Sequence, residues 1–387
     1  MTIKLAILCT HPIQYYAPLF KLLSKEKSIQ LKVFYSLGIE QNMIDKGFGK
    51  TINWDIPLLT GYDYEFLKNR AKNKGSDHFN GIKNPSIIAK IENFDPSILL
   101  VYGWAYHSHL KAIRYFYKKV PIWFKGDSTL LNQKTIWKLL LRKLFLSLVY
   151  RHIDKAIYVG QQNKAYYKAY GLKKSQLIFV PHAVDNDRFA EDRSSEVKIL
   201  RETLALKAED ILILFAGKFE NIKNPHLLLN AFGAIEADNV HLLFVGNGIL
   251  EESLKFDVAS NRLKCNSNKV HFLPFQNQSQ MPVIYQACEL FCLPSLSETW
   301  GLSVNEAMAA GKAVLVSDQV GCAIDLVQND LNGLIFQSNN LTSLIAALNV
   351  LTIDIAKLKL MGIKSKMIIN QWSFNAQLET LMAHISG

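Results

Sequence analysis

Short runs of apolar and β-branched residues alternate with longer stretches of helical spacing along the whole chain. In the first half, runs at 3–9, 31–36, 97–101, 121–125, 155–159 and 176–180 read as strands. In the second half the same pattern appears at 211–216, 240–245, 269–273, 289–293, 313–317 and 333–336. Helical spacing separates them, for example at 14–24, 224–236, 249–262, 302–311 and 341–349. Continuous apolar strands alternating with helices are the pattern of parallel sheets covered on both faces. Two successive sets predict an α/β chain of two doubly wound, Rossmann-like domains. The polar stretch DNDRFAEDRSSE, starting at Asp185, marks the expected boundary, giving domains over 1–187 and 188–370. Residues 371–387 have helical spacing with no strand after them. In such sheets ligands bind beyond the carboxyl ends of the strands, so a cleft between two such domains is the expected site.

Composition narrows this picture. The chain has 387 residues, 49% hydrophobic and 20% charged, too many for one ordinary core. No stretch has the eighteen or so uncharged apolar residues of a spanning helix. Five cysteines, at 9, 265, 288, 292 and 322, form neither a secretory framework nor a paired metal spacing, which fits a reducing cytoplasm. The net charge of +11 is unevenly placed. Up to Asp187 there are 28 Lys+Arg against 13 Asp+Glu, a net of +15; from Arg188 onward there are 16 against 20, a net of −4. Any contact with a polyanion or an anionic membrane is therefore expected from the first half.

Three segments of the second half place chemistry at strand ends. In ILILFAGKFENIKNPHLLLNAF a strand runs to Gly217, followed by Lys218, then Lys223 and a helix opened by Asn224-Pro225. Two lysines there would suit a diphosphate, or would be solvated surface lysines. In HLLFVGNGILEESL, Gly246-Asn247-Gly248 lets backbone approach a ligand, or forms a plain tight turn. In ELFCLPSLSETWGLSVNEAMAAGKAVLVS, Glu298 precedes a helix beginning near Gly301, with Glu306 inside it. The free amides of that helix start favour an anion, and two carboxylates could bracket a ligand rich in hydroxyls. Read singly, Glu298 could equally be a helix cap and Glu306 a surface carboxylate.

Taken together, these segments resemble glycosyltransferase family 4, the nucleotide-sugar enzymes of the two-Rossmann-domain type called GT-B. The resemblance rests on Glu298-x7-Glu306 with its flanking Gly-Leu and Ala-Met, on Gly217-Lys218…Lys223, and on VPHAVDNDRF at 180–189. VGNGILEESL, FLPFQNQSQM and the GKAVLVSDQVG…NGLIF tail extend it, so the motifs span residues 180 to 336. It implies that Lys218 and Lys223 neutralise a leaving nucleoside diphosphate, with Gly217, Gly246, Asn247 and Gly248 beside the donor. Glu298 would bind hydroxyls of the transferred sugar and Glu306 the ribose hydroxyls. Amides of Gly301, Leu302 and Ser303 would hold a phosphate, and Phe275 would lie against the base. The resemblance also implies retention of configuration, no metal or other cofactor, and a last helix that returns to the first domain. UDP is slightly favoured over GDP. The partners are a nucleotide-sugar donor and a glycan or lipid-linked acceptor, as in cell-surface polysaccharide synthesis.

The first half departs from the family. The loop after the first strand is THPIQYY rather than glycine-rich, with His11 as a candidate cleft residue. The family's cleft histidine is replaced in PIWFKGDST by Asp127, which could accept a hydroxyl's hydrogen bond or act as a base; His107 and His109 are alternatives. Lys218 stands where an arginine is usual and loses its bidentate geometry. The one Asp-x-Asp, Asp185-Asn186-Asp187, lies in the junction and argues weakly for a metal. KTIWKLLLRKLFLSLVYR, from Lys134, puts Lys134, Lys138 and Arg142 on one helix face, with Trp137, Leu141, Leu144, Phe145 and Leu148 elsewhere. Such a helix suits peripheral attachment to the cytoplasmic face of a membrane, or a core helix with a basic outer stripe. The rival readings are a GT-B epimerase or phosphorylase, and a non-catalytic basic protein binding membrane or nucleic acid. Placement of the lysines in the acidic half argues against nucleic acid.

Overall fold

The computed structural model describes residues 2–38, 44–45, 50–51, 54–131, 136–235, 237–260 and 267–385. Side chains of 44–45, 50–51, 136–138 and 267 are not described, so Lys134 and Cys265 lie outside the described residues, as do the side chains of Trp137 and Lys138. The chain folds as two compact units. The first comprises 1–43, 57–182 and 374–387; the second comprises 44–56 and 183–373.

The strands are β1 (Ile3–Cys9), β2 (Ile29–Tyr35), β3 (Ile44–Asp45), β4 (Lys50–Thr51), β5 (Tyr64–Phe66), β6 (Ile98–Tyr102), β7 (Ile122–Lys125), β8 (Lys155–Tyr158) and β9 (Leu177–Phe179) in chain order, then β10 (Ile211–Ala216), β11 (Val240–Val245), β12 (Val270–Leu273), β13 (Leu290–Leu293), β14 (Ala313–Ser317) and β15 (Gly333–Phe336). The first unit holds a parallel sheet ordered β5-β2-β1-β6-β7-β8-β9; the second holds one ordered β12-β11-β10-β13-β14-β15. Both orders begin 3-2-1-4-5-6 within their unit, the doubly wound arrangement whose direction reverses at its first strand. The switch points therefore lie between β1 and β6, and between β10 and β13.

The sheets form because their central strands are apolar on both faces. All six residues of β10 are buried, and Leu5 to Cys9 of β1 are likewise. Leu5 and Ile7 face a core with Leu19, Phe20 and Leu23, while Ala6 and Leu8 face another with Leu110, Ile113 and Tyr150. The last helix, Phe374–Ile385, belongs to the first unit: Leu381 and Ile385 join the core beside the helix Ala17–Lys25. Gln377 Nε2 donates to Pro181 O at 2.6 Å.

Three features differ from the pattern. The short strand β5 extends the first sheet at its edge, and β3 pairs antiparallel with β4. The polar stretch expected as a junction is instead structured, carrying helices Asn186–Ala190 and Ser194–Thr203 in the second unit. Phe189 anchors it, fully buried with its ring centroid 5.6 Å from that of Tyr285. Asp185 accepts from Arg188 N at 3.2 Å as a helix cap, and Asn186 Nδ2 donates to Ile369 O at 3.1 Å, so this Asp-x-Asp serves the chain's own turns.

The amphipathic helix Ile136–Tyr150 also differs in orientation. Leu146, Val149 and Tyr150 are buried, and Arg142 donates to Tyr166 OH at 3.1 Å and covers the rings of Tyr166 and Tyr170. The outer face carries Leu140, Leu141, Leu144, Phe145 and Leu148, 45–68% exposed. The described outer face is therefore apolar at these five positions, with exposed Arg142 and Lys143 on the same helix; Lys134 and the Lys138 side chain, the rest of the expected basic stripe, lie outside what the structure describes. Among the described residues, no single helix is long and apolar enough to cross a membrane.

Candidate functional site

In the second unit the site is built at the β10–β13 switch point. β10 ends at Ala216, and Gly217-Lys218 lead to a 3₁₀ turn at Asn221–Lys223. Asn224 takes the left-handed conformation at φ +53°, and Pro225 opens the next helix. From the neighbouring strand, β13 runs into the loop of Ser295 to Thr299. Leu296 N donates to Ile222 O at 2.8 Å, tying the two loops together. This clamp brings Lys223 and Glu298 into an ion pair, with both side chains mostly buried. Glu298 is fixed from the other side by its backbone, whose N–H donates to Gln319 O and whose carbonyl accepts from Gly321 N, both at 3.0 Å.

Gly301 then starts the helix Leu302–Ala309 with φ +98°. A Cβ there would lie 2.9 Å from Val320 Cγ1 and 3.4 Å from Glu298 Cγ, so the glycine lets the Glu298 loop close onto the helix start. Amides in a helix's first turn lack intrahelical partners, and their dipoles favour an anion. Glu306, in the second turn, is 4% exposed and accepts from Tyr285 OH at 2.8 Å. It is thus not a surface carboxylate. Trp300 Nε1 donates to the buried Asn305 Oδ1 at 2.9 Å, holding the entry to the helix.

The Gly246-Asn247-Gly248 turn follows β11 and braces this loop. Phe219 N donates to Asn247 O at 2.9 Å, and Gly217 N to Val245 O at 3.0 Å. The Asn247 side chain accepts from Phe275 N at 2.9 Å and donates to Glu251 at 2.8 Å. One asparagine therefore sets Phe275 beside the Lys218 loop. Trp54 places its ring 6.5 Å from that of Phe275, and Asp55 accepts from Ser279 N and Oγ.

Residues 196–365 match the family model described as glycosyl transferases group 1. A D-inositol 3-phosphate glycosyltransferase of Nocardia farcinica is 27% identical over 204 residues, which are 51% of this chain and 44% of that protein. An uncharacterized glycosyltransferase of Methanocaldococcus jannaschii is 30% identical over 143 residues, 36% of each chain. The chain thus spans less than half the length of these curated relatives. Among solved structures, Anabaena HepE in complex with UDP superposes with a TM-score of 0.74 at 16% identity, covering 100% of both chains. Sucrose-phosphate synthase from Thermosynechococcus elongatus gives a TM-score of 0.74 at 16% identity, covering 99% of this chain and 98% of that one.

The fold is GT-B. Within this GT-B chain the residues singled out from sequence fall into two sets. Lys218, Lys223, Glu298, Glu306, Gly301, Leu302, Ser303, Phe275 and the 246–248 turn belong to the second unit; His11, His107, His109 and Asp127 belong to the first.

In the first unit, His11 Nδ1 lies 2.9 Å from Thr10 Oγ1, and burial lowers its pKa, favouring the neutral ring. His107 is exposed at the start of the helix His107–Phe116, its ring edge-on to Phe79. His109 is a correction: it is fully buried, not a loop residue open to a ligand. Its Nδ1 donates to Gly103 O at 2.8 Å and its Nε2 meets Ser36 Oγ at 2.7 Å, so both nitrogens are spent on the protein. Burial pushes its pKa down to about 4, which leaves Nε2 to accept from the hydroxyl. Asp127 is half-buried after β7, on a backbone held by Tyr167 OH, which accepts from Gly126 N and donates to Gly126 O, both at 2.8 Å.

Sequence reasoning passed over Lys125, the last residue of β7, which is 4% exposed. Its ammonium lies 4.9 Å from the Tyr16 ring centroid and 5.3 Å from that of Tyr102. Burial pushes its pKa down to about 8, against an opposing pull from Asp127. Tyr285, Trp54 and Asp55 were also missed, and no local motif signals them.

Proposed function

We propose that the chain is a glycosyltransferase of the family 4 type, moving a sugar from a nucleoside diphosphate to an acceptor hydroxyl with retention of configuration. The observation that carries this reading is the Lys223–Glu298 pair at the β10–β13 switch point, beside the start of the helix Leu302–Ala309. Breaking the anomeric bond develops negative charge on the diphosphate and positive charge on the sugar. Preorganised cations and amides aimed at the leaving group are then the largest available contribution. Lys218, Lys223 and the helix-start amides of Gly301, Leu302 and Ser303 supply them. On donor entry Lys223 exchanges its partner from Glu298 to the diphosphate. Glu298 is thereby released to accept from sugar hydroxyls, while Glu306 accepts from the ribose.

UDP is the favoured leaving group, and the Anabaena relative in complex with UDP supports that choice. The acceptor is a glycan or lipid-linked molecule, met at the cytoplasmic face of a membrane. The exposed leucines of the helix Ile136–Tyr150, with exposed Lys143 and Arg151 beside them, support peripheral attachment there. The test is a panel of UDP-, GDP- and ADP-sugars, read by nucleotide release and by the anomeric configuration of the product in NMR. Lys223→Ala and Glu298→Ala run beside wild type. Nucleotide release unaffected by both substitutions would sink the site; release of a free epimer or sugar phosphate would favour an epimerase or a phosphorylase.

A further inference from the structure

In the first unit, three side chains from consecutive positions in the sheet converge beyond the carboxyl ends of the strands. Tyr16 precedes the helix that follows β1, Tyr102 ends β6 and Lys125 ends β7. This is the switch point of the first sheet, the place where doubly wound sheets take ligands. The ammonium of Lys125 rests on both tyrosine faces, and Tyr16 in turn stacks against the buried His182, their planes 13° apart. Two aromatic faces offset part of the cost of burying an ammonium, yet they supply no hydrogen bond. Asp127, two residues on, favours the charged form of Lys125 electrostatically, against the larger effect of burial. A cation held nearly dry at a ligand-binding edge gains most from an anion brought by a ligand.

We propose that Lys125 is the anion-holding residue of an acceptor subsite in the first unit, and that the acceptor carries a phosphate group. The word acceptor rests on the glycosyl-transfer reading; the anion site itself does not. Tyr16 and Tyr102 fix the ammonium's direction, and the loop from Thr10 to Tyr16 follows β1 at the same edge of the sheet.

The full-length protein is titrated with inorganic phosphate, with glycerol 3-phosphate and with glycerol, by calorimetry. The expected result is that both phosphates bind and glycerol does not, with glycerol 3-phosphate the tighter. Lys125→Met should weaken that binding at least about tenfold, the scale of one charge-assisted contact, and Lys125→Arg should restore most of it. Lys111→Met, an exposed cation of the same unit, and Lys223→Ala, in the second unit, should leave this binding event in place. In wild-type protein carrying ¹³Cε-lysine, the Lys125 resonance, assigned by its loss in Lys125→Arg, should move on phosphate addition. Unchanged phosphate binding in Lys125→Met, or a resonance that phosphate leaves in place, overturns the proposal even if the Met variant folds poorly. Phosphate binding lost in Lys223→Ala instead would assign it to the diphosphate site and overturn it too. UDP binding is measured in parallel. Its absence in wild type defeats the transfer reading alone; its presence with phosphate binding indifferent to Lys125 defeats the subsite alone.

Discussion

Two glycines beside the Lys218–Lys223 loop should respond differently to alanine. Gly246 sits at φ +144°, and a Cβ there would fall 2.0 Å from Gly217 O, in backbone that cannot swing aside. The adjoining hydrogen bonds, Gly217 N to Val245 O and Gly246 N to Leu273 O at 3.0 Å each, hold β10, β11 and β12 together at their carboxyl ends. Gly246→Ala must therefore break that seam as well as adopt a disfavoured φ. The φ costs about 1–3 kcal/mol and the overpacking about as much again, giving about 4 kcal/mol in all. For a unit of this size that lowers the melting temperature by about 10 °C. At Gly217 a Cβ would find its nearest neighbour, Phe215 Cε1, at 4.0 Å, and the backbone is not left-handed. Gly217→Ala should melt within about 2 °C of wild type, since free space and an ordinary φ leave no mechanism for a large loss. If donor phosphate approaches this backbone, Gly217→Ala should nonetheless weaken UDP binding, because the methyl fills the space a ligand would use. Calorimetric melting and UDP titration of both variants decide it. A Gly246→Ala protein that melts like wild type would refute the packing argument, and a Gly217→Ala protein that binds UDP normally would refute the approach of phosphate there.

Lys223→Ala and Glu298→Ala should each lower kcat by about 10²-fold, and the double variant by less than the product, because each partner orders the other; strictly multiplicative losses would contradict the shared ion pair. His109 is neutral when folded, with its pKa pushed down to about 4 from 6.5, so the unfolded chain binds a proton that the folded chain refuses as pH falls through this window. Stability should therefore drop by about 3 kcal/mol between pH 6.5 and 4 on this account, with the half-buried His11 and the buried His182 acting in the same direction. Denaturant unfolding at pH 7 and pH 4.5 measures it, and a profile equally steep in His109→Gln would remove His109 as the cause. Asn247→Ala loses its bonds to Phe275 N and Glu251, and should cost about 1–3 kcal/mol and raise KM for the donor with little change in kcat; an unchanged KM would separate Phe275 from donor binding.

The strand pattern was legible because the central strands are buried on both faces, as in IKLAILC and ILILFA, and nothing but an apolar run fits there. The rule that ligands sit beyond the carboxyl ends of such strands, with the motifs found there, let the loops at Lys218–Lys223 and Ser295–Gly301 be chosen before any coordinate; the strand order that makes them neighbours at a switch point is visible only in the structure. The elements that escaped are those with little to bury. YEF in β5 has no fully buried residue, and neither does the helix Ser194–Thr203, whose polar sequence read as a junction. What held the site together was equally hidden. The Leu296 N to Ile222 O bond and the Tyr285 hydroxyl on Glu306 link residues far apart in sequence through groups with no motif. Lys125 was passed over for a different reason. Lysine ordinarily extends its ammonium to water, and only the two tyrosines above β7 turn this one into a nearly buried cation.

These placements change what the basic first half can be taken to mean. Part of its +15 is not outward charge, since Lys125 is nearly buried, while Arg142 stays exposed as it lies over the rings of Tyr166 and Tyr170. The described outer face of the helix Ile136–Tyr150 also carries a row of leucines and one phenylalanine. Burying a leucine contributes about 1.5–3 kcal/mol when it is complete, against about 1 kcal/mol for each basic residue near an anionic surface. With Leu141 and Leu144 each at least 60% exposed, the apolar contribution outweighs that of Lys143 and Arg151. Vesicle binding should then survive salt in large part. Replacing both leucines with glutamate should weaken it by at least about 100-fold, by that same area argument, while the melting temperature stays put. Co-sedimentation with anionic and neutral vesicles at low and high salt measures this. Binding abolished by salt but indifferent to the two leucines would mean that charge alone, and not this face, draws the chain to a membrane.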